Sequence, residues 1–291
     1  MLSLQQLAYF VSVVDQGSIT AASMEMQITQ PGLSRQLRAL EAQLGGPLLE
    51  RLPRGMRLTP LGRAVLPRAR SAVASARRVE QAARRVQDRS AGELHVATIN
   101  SLSLGVLPSV LSSWHAEHPA VRVRVREYNH VTALLESFAE GHVDAAVTPL
   151  PPDWVGDRRS LGCEEFVVVV DRDHRLAGRD SARMEEFEAD HWVQFDAEHG
   201  LHGVLNHHAA LAGFTPRVAM QTTQTAAAAG FSASGLGPAL VPANVLSPHF
   251  SGVQIALDPP IAREVFVIYR GPEDALTRAF VKTVLAEARL D

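Results

Sequence analysis

The run Thr29-Gln30-Pro31-Gly32-Leu33-Ser34-Arg35-Gln36-Leu37-Arg38-Ala39-Leu40-Glu41, set within residues 18–59, decides the fold. Leu33, Leu37, Leu40 and Leu44 recur at spacings of four, three and four, the stripe of an amphipathic helix. Thr29 stands at the N-cap, and Pro31 sits in the first turn, where its missing N–H is harmless. Gly45-Gly46 stops the helix. The opposite face carries Ser34, Arg35 and Arg38 near its N-terminal end. Short and cationic donors placed there suit the base edges and phosphates of a major groove. Gln30, Pro31, Ser34, Arg35 and Arg38 are therefore the expected groove contacts.

Upstream, Leu4, Leu7, Phe10, Val11 and Val14 form a first helix closed by Gly17. Ser18 caps a short second helix over Ile19 to Met26, and the turn Gln27-Ile28-Thr29 leads into the third. Two helices joined by a tight turn, the second polar on its outer face, make a helix-turn-helix. Downstream, Leu48-Leu49-Glu50-Arg51 and Met56-Arg57-Leu58 read as short strands around Pro53-Arg54-Gly55. This basic hairpin, or wing, places Arg51, Arg54 and Arg57 to meet phosphates or a minor groove.

Charge divides the chain in the same way. Residues 1–91 hold 13 Arg and six Asp or Glu, while the remaining 200 residues hold 15 basic and 25 acidic side chains. A basic third on an acidic body predicts a polyanion partner for the first part alone, with affinity that falls steeply with salt. No apolar run is long enough to span a bilayer, so no membrane partner is expected. The N-terminus lacks the basic start and apolar stretch of an export signal. A single cysteine, Cys163, excludes an internal disulfide framework, fits a reducing cytoplasm, and reads as a structural thiol.

The stretch FVSVVDQGSITAAS…ITQPGLSRQLRALEAQLGGPLLERLPRGMRLTPLG resembles the N-terminal signature of the LysR-type transcriptional regulators. The likeness covers about the first 62 residues densely, and the layout of the rest of the chain agrees. Departures are Leu49 where the family often has Phe, Ile19 where Phe is common, and Gly32 where Ala or Ser is usual. Gly32 costs helix propensity by up to ~1 kcal/mol. The resemblance implies a sequence-specific DNA-binding transcription regulator under the control of a small-molecule effector, with RNA polymerase as a further partner.

Thr59-Pro60 opens a helix that can run to about Arg89. Val65, Ala69, Ala72, Ala76, Val79, Ala83 and Val86 alternate at spacings of four and three, the seam of a coiled coil. A seam this long beside a DNA-binding unit is expected to pair two chains, and the resemblance implies the same. A two-fold dimer through residues 60–89 would present two recognition helices to a roughly palindromic double-stranded operator. Tetramers are an expectation from the family alone.

From Gly92 the pattern changes to alternating strands and helices. Leu94–Ile99, Val121–Val125 and Asp144–Thr148 read as strands around helices at 101–117 and 131–140, which predicts a parallel sheet. A second set follows: strands Phe166–Val170, Trp192–Phe195, Arg217–Gln221 and Pro238–Val241, with helices near 183–188, 201–212 and 223–234. Glu264–Tyr269 is then a strand and 273–289 a closing helix. Two lobes with the chain crossing back resemble the periplasmic-binding-protein-like effector domain of the same family.

In such folds small ligands bind at the carboxyl ends of strands, near helix N-termini. That selects Asn100, Ser101 and Ser103 after the first strand, Asn129, His130 and Thr132 after the next, and Thr148 after the third. From the second lobe come Phe195, His202, Thr222, Thr223 and Gln224. The resemblance implies Ser101 most directly, as the ligand hydroxyl after the first strand. At Val131, where the family often has a hydroxyl, this chain has Val with Thr132 adjacent. A helix N-terminus with hydroxyls suits a carboxylate.

His191, His199, His202, His207 and His208 crowd one region, but no metal-ligand spacing accompanies them, and no metal or cofactor is expected. Gly230-Phe231-Ser232-Ala233-Ser234 misses a nucleophile elbow by one residue, and Gly235-Leu236-Gly237-Pro238 lacks the third glycine of a dinucleotide loop, so no enzyme is expected. A two-lobed solute-binding protein of a transporter is the alternative; it requires an export signal and no basic N-terminal domain. The expected architecture is α+β and multidomain. Residues 1–59 form a winged helix-turn-helix, 60–91 a linker and dimerisation helix, and 92–291 a two-lobed α/β effector domain. Lobe I takes about 92–161 and 269–291, and lobe II about 162–268.

Overall fold

The computed structural model describes residues 2–51, 56–87, 92–270, 274–288 and 290, and the side chains of Arg51, Ala83 and Val86 and the whole of Arg54 lie outside that description. The chain separates into two units, residues 1–91 with 139–142, and residues 92–138 with 143–291. In the first, α1 (Leu4–Gln16), α2 (Ile19–Glu25) and α3 (Gln30–Leu44) follow the expected boundaries closely. Ser18 Oγ accepts the Ala21 N–H at 3.4 Å and Thr29 Oγ1 accepts that of Gly32 at 3.3 Å, so both short-helix starts are capped by side chains. Leu33, Leu37 and Leu40 are buried with Phe10, Val13, Ala22 and Leu48 in one cluster. Leu44, the fourth stripe residue, packs only partly against it.

The wing is an antiparallel pair of β1 (Leu49–Arg51) and β2 (Met56–Leu58), with Glu50 opposite Arg57. Glu41, at the end of α3, fixes the start of the wing: its Oε1 accepts the Leu48 N–H at 2.8 Å. Thr59 closes the other side, donating to Pro47 O at 2.6 Å and accepting the Gly62 N–H at 2.9 Å. There α4 (Pro60–Gln87) begins. One expectation changes here. Val65 and Ala69, the first residues of the seam, pack into the core of their own unit, with Ala69 1% exposed. Seven-residue periodicity cannot say which neighbour a stripe faces, and here α1 takes the first turns. Further along, Val79 is 70% exposed.

The second unit opens with β3 (Glu93–Ile99), α5 (Asn100–Gly105) and α6 (Leu107–Glu117). The single helix expected over 101–117 is two. Pro108 begins a fresh first turn, and Gly105 lies so close to the Asn244 carbonyl that a Cβ there would sit 2.5 Å from it. The break shifts the helical phase, which leaves Leu104 48% exposed while Leu107 and Trp114 are buried. Next come β4 (Arg122–Tyr128), α7 (Val131–Ala139) and β5 (Ala145–Pro149). β3 pairs in parallel with both β4 and β5, the βαβαβ arrangement the sequence predicts. β4 is the edge, so the strand expected to be apolar on one face leaves Val125 38% exposed.

The second lobe departs from expectation. β6 (Arg158–Val170) is 13 residues long, and after β7 (Ser181–Ala182) comes a 3-10 turn, Met184–Phe187, in place of a helix. β8 (His191–Phe195) and β9 (Arg217–Thr222), joined through α8 (His202–Leu211), pair in parallel, and β7 runs parallel to a second partner at residues 256–257. α9 (Thr225–Phe231) passes directly into a π-helical turn over Ser232–Leu236, and β10 (Ala239–Pro242) is antiparallel to β6. β11 (Val253–Tyr269) runs 17 residues and pairs antiparallel with β6 and β5, and α10 (Ala275–Glu287) closes the chain. One sheet, in the order β10-β6-β11-β5-β3-β4, thus passes through both lobes. Asp258-Pro259-Pro260 in the middle of β11 and Arg158-Arg159-Ser160 at the start of β6 hid both long strands, since proline and charge read as strand ends.

Candidate functional site

The outer face of α3 is built by subtraction: three leucines turn inward, and what remains points out. Gln30, Pro31, Arg35 and Arg38 are exposed and Ser34 is half-buried. Neither Arg35 nor Arg38 has a carboxylate partner among the described residues, so both guanidinium groups keep their full donor set. Arg57 is 64% exposed and pairs with Glu50 across the wing at 2.8 Å. That pair lies at the surface and holds the arginine only weakly.

In the second unit, the ends of β3 and β4 and the starts of α5 and α7 enclose an open cleft of ≈ 530 Å³, solvent at its mouth included. Ser101, Asn100, Asn129, His130 and Thr132 line it, as the position after each strand predicts, together with His199, Gly200, Leu201 and Arg263. Asn100 Nδ2 donates to Asn129 Oδ1 at 2.9 Å, tying the two strand ends. The 198–200 turn is tied to the same edge. Gly200 N–H donates to Asn129 O at 2.9 Å, and His130 Nε2 meets Glu198 O. A Cβ at position 200 would lie 2.5 Å from Asn129 O, so only glycine permits this approach.

Arg263 crosses the floor of the cleft. Its Nε and Nη2 donate to Glu164 Oε2 at 2.6 and 2.5 Å, and Nη2 also donates to Ser101 Oγ at 3.1 Å. The Glu164 side chain is fully buried and its Oε1 accepts from Asn244 Nδ2 at 3.1 Å. Because the Ser101 oxygen already accepts, its hydroxyl hydrogen remains for a ligand. His199 is buried and stacks on Phe195 at 4.4 Å; its Nδ1 accepts the Leu201 N–H at 3.2 Å. Burial pushes the His199 imidazole below the usual histidine range; Asp196 opposes this, and His130 and Arg263 reinforce it.

Other expected residues have different partners. Ser103 donates to Glu127, and Thr148 is buried and donates to Pro149 O at 3.0 Å. His202 is held between Phe195 O at 2.7 Å and Asn206 Nδ2 at 3.0 Å, so neither it nor Phe195 lines the cleft. Thr222 Oγ1 accepts the Gln224 N–H at 3.2 Å in a turn, and Thr222, Thr223 and Gln224 stay outside the lining. Cys163, read from the sequence as a structural thiol, is free and exposed. Among the described residues no cluster of three or more His, Cys, Asp or Glu could hold a metal ion, and no helix is long and apolar enough to cross a membrane. Sequence reasoning missed Arg263 and Glu164. Each stands next to another charged residue, Glu264 and Glu165 respectively, so neither strand segment marks the buried member of its pair.

Residues 4–63 match the model of the family described as bacterial regulatory helix-turn-helix protein, lysR family, and residues 87–289 that of the LysR substrate binding domain. The HTH-type transcriptional regulator YwbI of Bacillus subtilis (strain 168) is 30% identical over 273 residues, 92% of this chain and 90% of that one. A full-length OxyR variant from Pseudomonas aeruginosa superposes with a TM-score of 0.72 at 21% identity, covering 100% of this chain and 95% of that one. Full-length CbnR complexed with its target DNA gives a TM-score of 0.69 at 24% identity over 99% of this chain and 100% of that one. At these identities the two structures bear on the fold.

Proposed function

This chain belongs to the LysR family of bacterial regulatory helix-turn-helix proteins, and from that premise we propose which parts read DNA, which join two chains and which sense the effector. The family makes it a DNA-binding transcription regulator with an effector-binding domain. Residues 1–59 take duplex DNA, with Gln30, Pro31, Ser34, Arg35 and Arg38 in the major groove and the wing arginines Arg51, Arg54 and Arg57 on the backbone. Residues 60–91 pair two chains, and residues 92–291 form the effector domain with its two lobes.

The effector is a small carboxylate seated in the cleft. The observation that carries this is the convergence of donors: the Ser101 hydroxyl, the Thr132 hydroxyl, the Asn100 and Asn129 amides and the Arg263 guanidinium all line one cavity. An effector regulates only if it binds the DNA-gripping and the DNA-releasing arrangements with different affinity. A thermal-shift screen of monocarboxylates and dicarboxylates on the wild type and Ser101→Ala tests the seat. Compounds that raise the wild-type Tm are expected to lose most of that effect on Ser101→Ala, while DNA affinity stays as it was. Equal shifts on both proteins would move the effector elsewhere.

A further inference from the structure

The cleft's cation is already engaged. Glu164 Oε2 takes two N–H groups of Arg263, Oε1 takes one from Asn244, and the carboxylate is sealed from water. Arg263 nevertheless lines the cavity and is 21% exposed, and its Nη1 has no hydrogen-bond partner among the described residues. A ligand carboxylate can therefore reach the guanidinium from the open side while Glu164 holds it from below.

We propose that Glu164 is a built-in competitor for Arg263, so that a carboxylate entering the cleft is taken up together with one proton from solvent, which adds to Glu164. The inference rests on the reading of the cleft as a carboxylate seat. One cation cannot compensate two carboxylates away from water, and of two carboxylates sharing a site one holds its proton far more tightly. The ligand retains solvent at the cleft mouth; Glu164 has none, so Glu164 is the group that gives up its charge.

The groups around the pair narrow the choice further. On β6, the neighbours Cys163 and Glu165 project to the opposite face, as strand alternation requires. From β11 comes Arg263 itself, from the Ala243–Val245 turn the uncharged Asn244, and from α5 Ser101. Beyond them stand His199 and Asp196 after β8 and His130 after β4. His199 is a poor proton acceptor: its Nδ1 is taken by the Leu201 N–H, and its Nε2 lies 3.4 Å from Thr225 Oγ1. His130 uses Nε2 on Glu198 O, which leaves Nδ1 as the rival site for the proton. The consequence for specificity is a regulator that answers carboxylates more strongly as pH falls, and that accepts an uncharged isostere at any pH.

The test is calorimetric titration of the full-length wild type and Glu164→Gln with phenylacetate, and with phenylacetamide as the uncharged counterpart, from about pH 6 to about pH 8. Proton-linked binding weakens by up to roughly tenfold per pH unit. The wild type is expected to lose phenylacetate affinity as pH rises, by roughly tenfold or more across the range. Glu164→Gln is expected to bind phenylacetate roughly tenfold or more tightly than the wild type at the alkaline end, with little pH dependence, and to treat phenylacetamide as the wild type does. Binding seen in the variant alone also supports the competitor. Equal affinities at about pH 8 would overturn it while leaving the carboxylate seat standing. The same pH slope in both proteins would put the proton on His130 and overturn it too. No phenylacetate binding by either protein would overturn this inference, and silence of the monocarboxylate and dicarboxylate screen as well would remove the carboxylate reading with it. Should Glu164→Gln fail to fold, carbon-13 resonances of labelled glutamate in the wild type report the proton directly: a neutral-carboxyl shift at Glu164 on saturation is expected, and an unchanged ionised signal contradicts it.

Discussion

His199 is 4% exposed, with one ring nitrogen accepting a backbone N–H and its face stacked on Phe195. The folded protein holds this imidazole neutral, because burial depresses its affinity for a proton. The unfolded chain carries an ordinary histidine with a pKa of about 6.5, so the unfolded state binds more protons in mild acid and stability rises with pH. The contribution is complete above about pH 6.5 and is lost as pH falls from there toward the lower folded value. Urea unfolding of the wild type and His199→Gln at about pH 7.5 and about pH 5.5 checks the sign. The wild type is expected to lose more stability than the variant between the two; equal losses would mean that His199 is not the titrating group. At this scale the sequence was partly legible. Ser101, His130 and Thr132 follow strands, and the fold places such residues at a cleft without further help. Arg263 and Glu164 carry no such local mark. What defines them is a contact across 99 residues of sequence, and pairing between distant strands has no signature in either segment alone.

Among the elements, the helix-turn-helix was the most legible and the second lobe the least, for a physical reason. A helix carries its pattern within one contiguous stretch, as Leu33, Leu37 and Leu40 do, and its caps are neighbours in sequence. β6 and β11 are long and run through both lobes; β6 changes its buried face along the way, and β11 is interrupted by Pro259 and Pro260, so neither keeps one uninterrupted period. α4 lies between these cases. Its seam was visible, but its first turns pack on α1, whereas Val79 further along is exposed. That difference separates two substitutions. Val79→Asp, at a 70% exposed position, is expected to leave the monomer folded and weaken chain pairing by about tenfold or more, the scale of one lost Val burial per chain of about 1.5–3 kcal/mol. Ala69→Asp buries a charge in the unit's own core and is expected to unfold it. Sedimentation velocity across a concentration series checks the first, and circular dichroism the second. A Val79→Asp protein that dimerises as the wild type does would exclude this stretch of α4 from the interface.

Taken as one molecule, the protein keeps two electrostatic characters apart. Its first 91 residues are net basic and its remaining 200 net acidic, so a polyanion is drawn to one end only. The acidic remainder also contains the cleft that we propose as the effector seat. The central claim is that α3 grips duplex DNA in its major groove. The most direct measurement is fluorescence anisotropy of the full-length wild type and Arg35→Ala on fragments of the source genome and on random duplex, across a salt series. The wild type is expected to prefer a cognate fragment, with affinity falling log-linearly with salt. Arg35→Ala is expected to lose about 1–3 kcal/mol on that fragment and little on random duplex. Unchanged binding of both duplexes by Arg35→Ala would contradict the account.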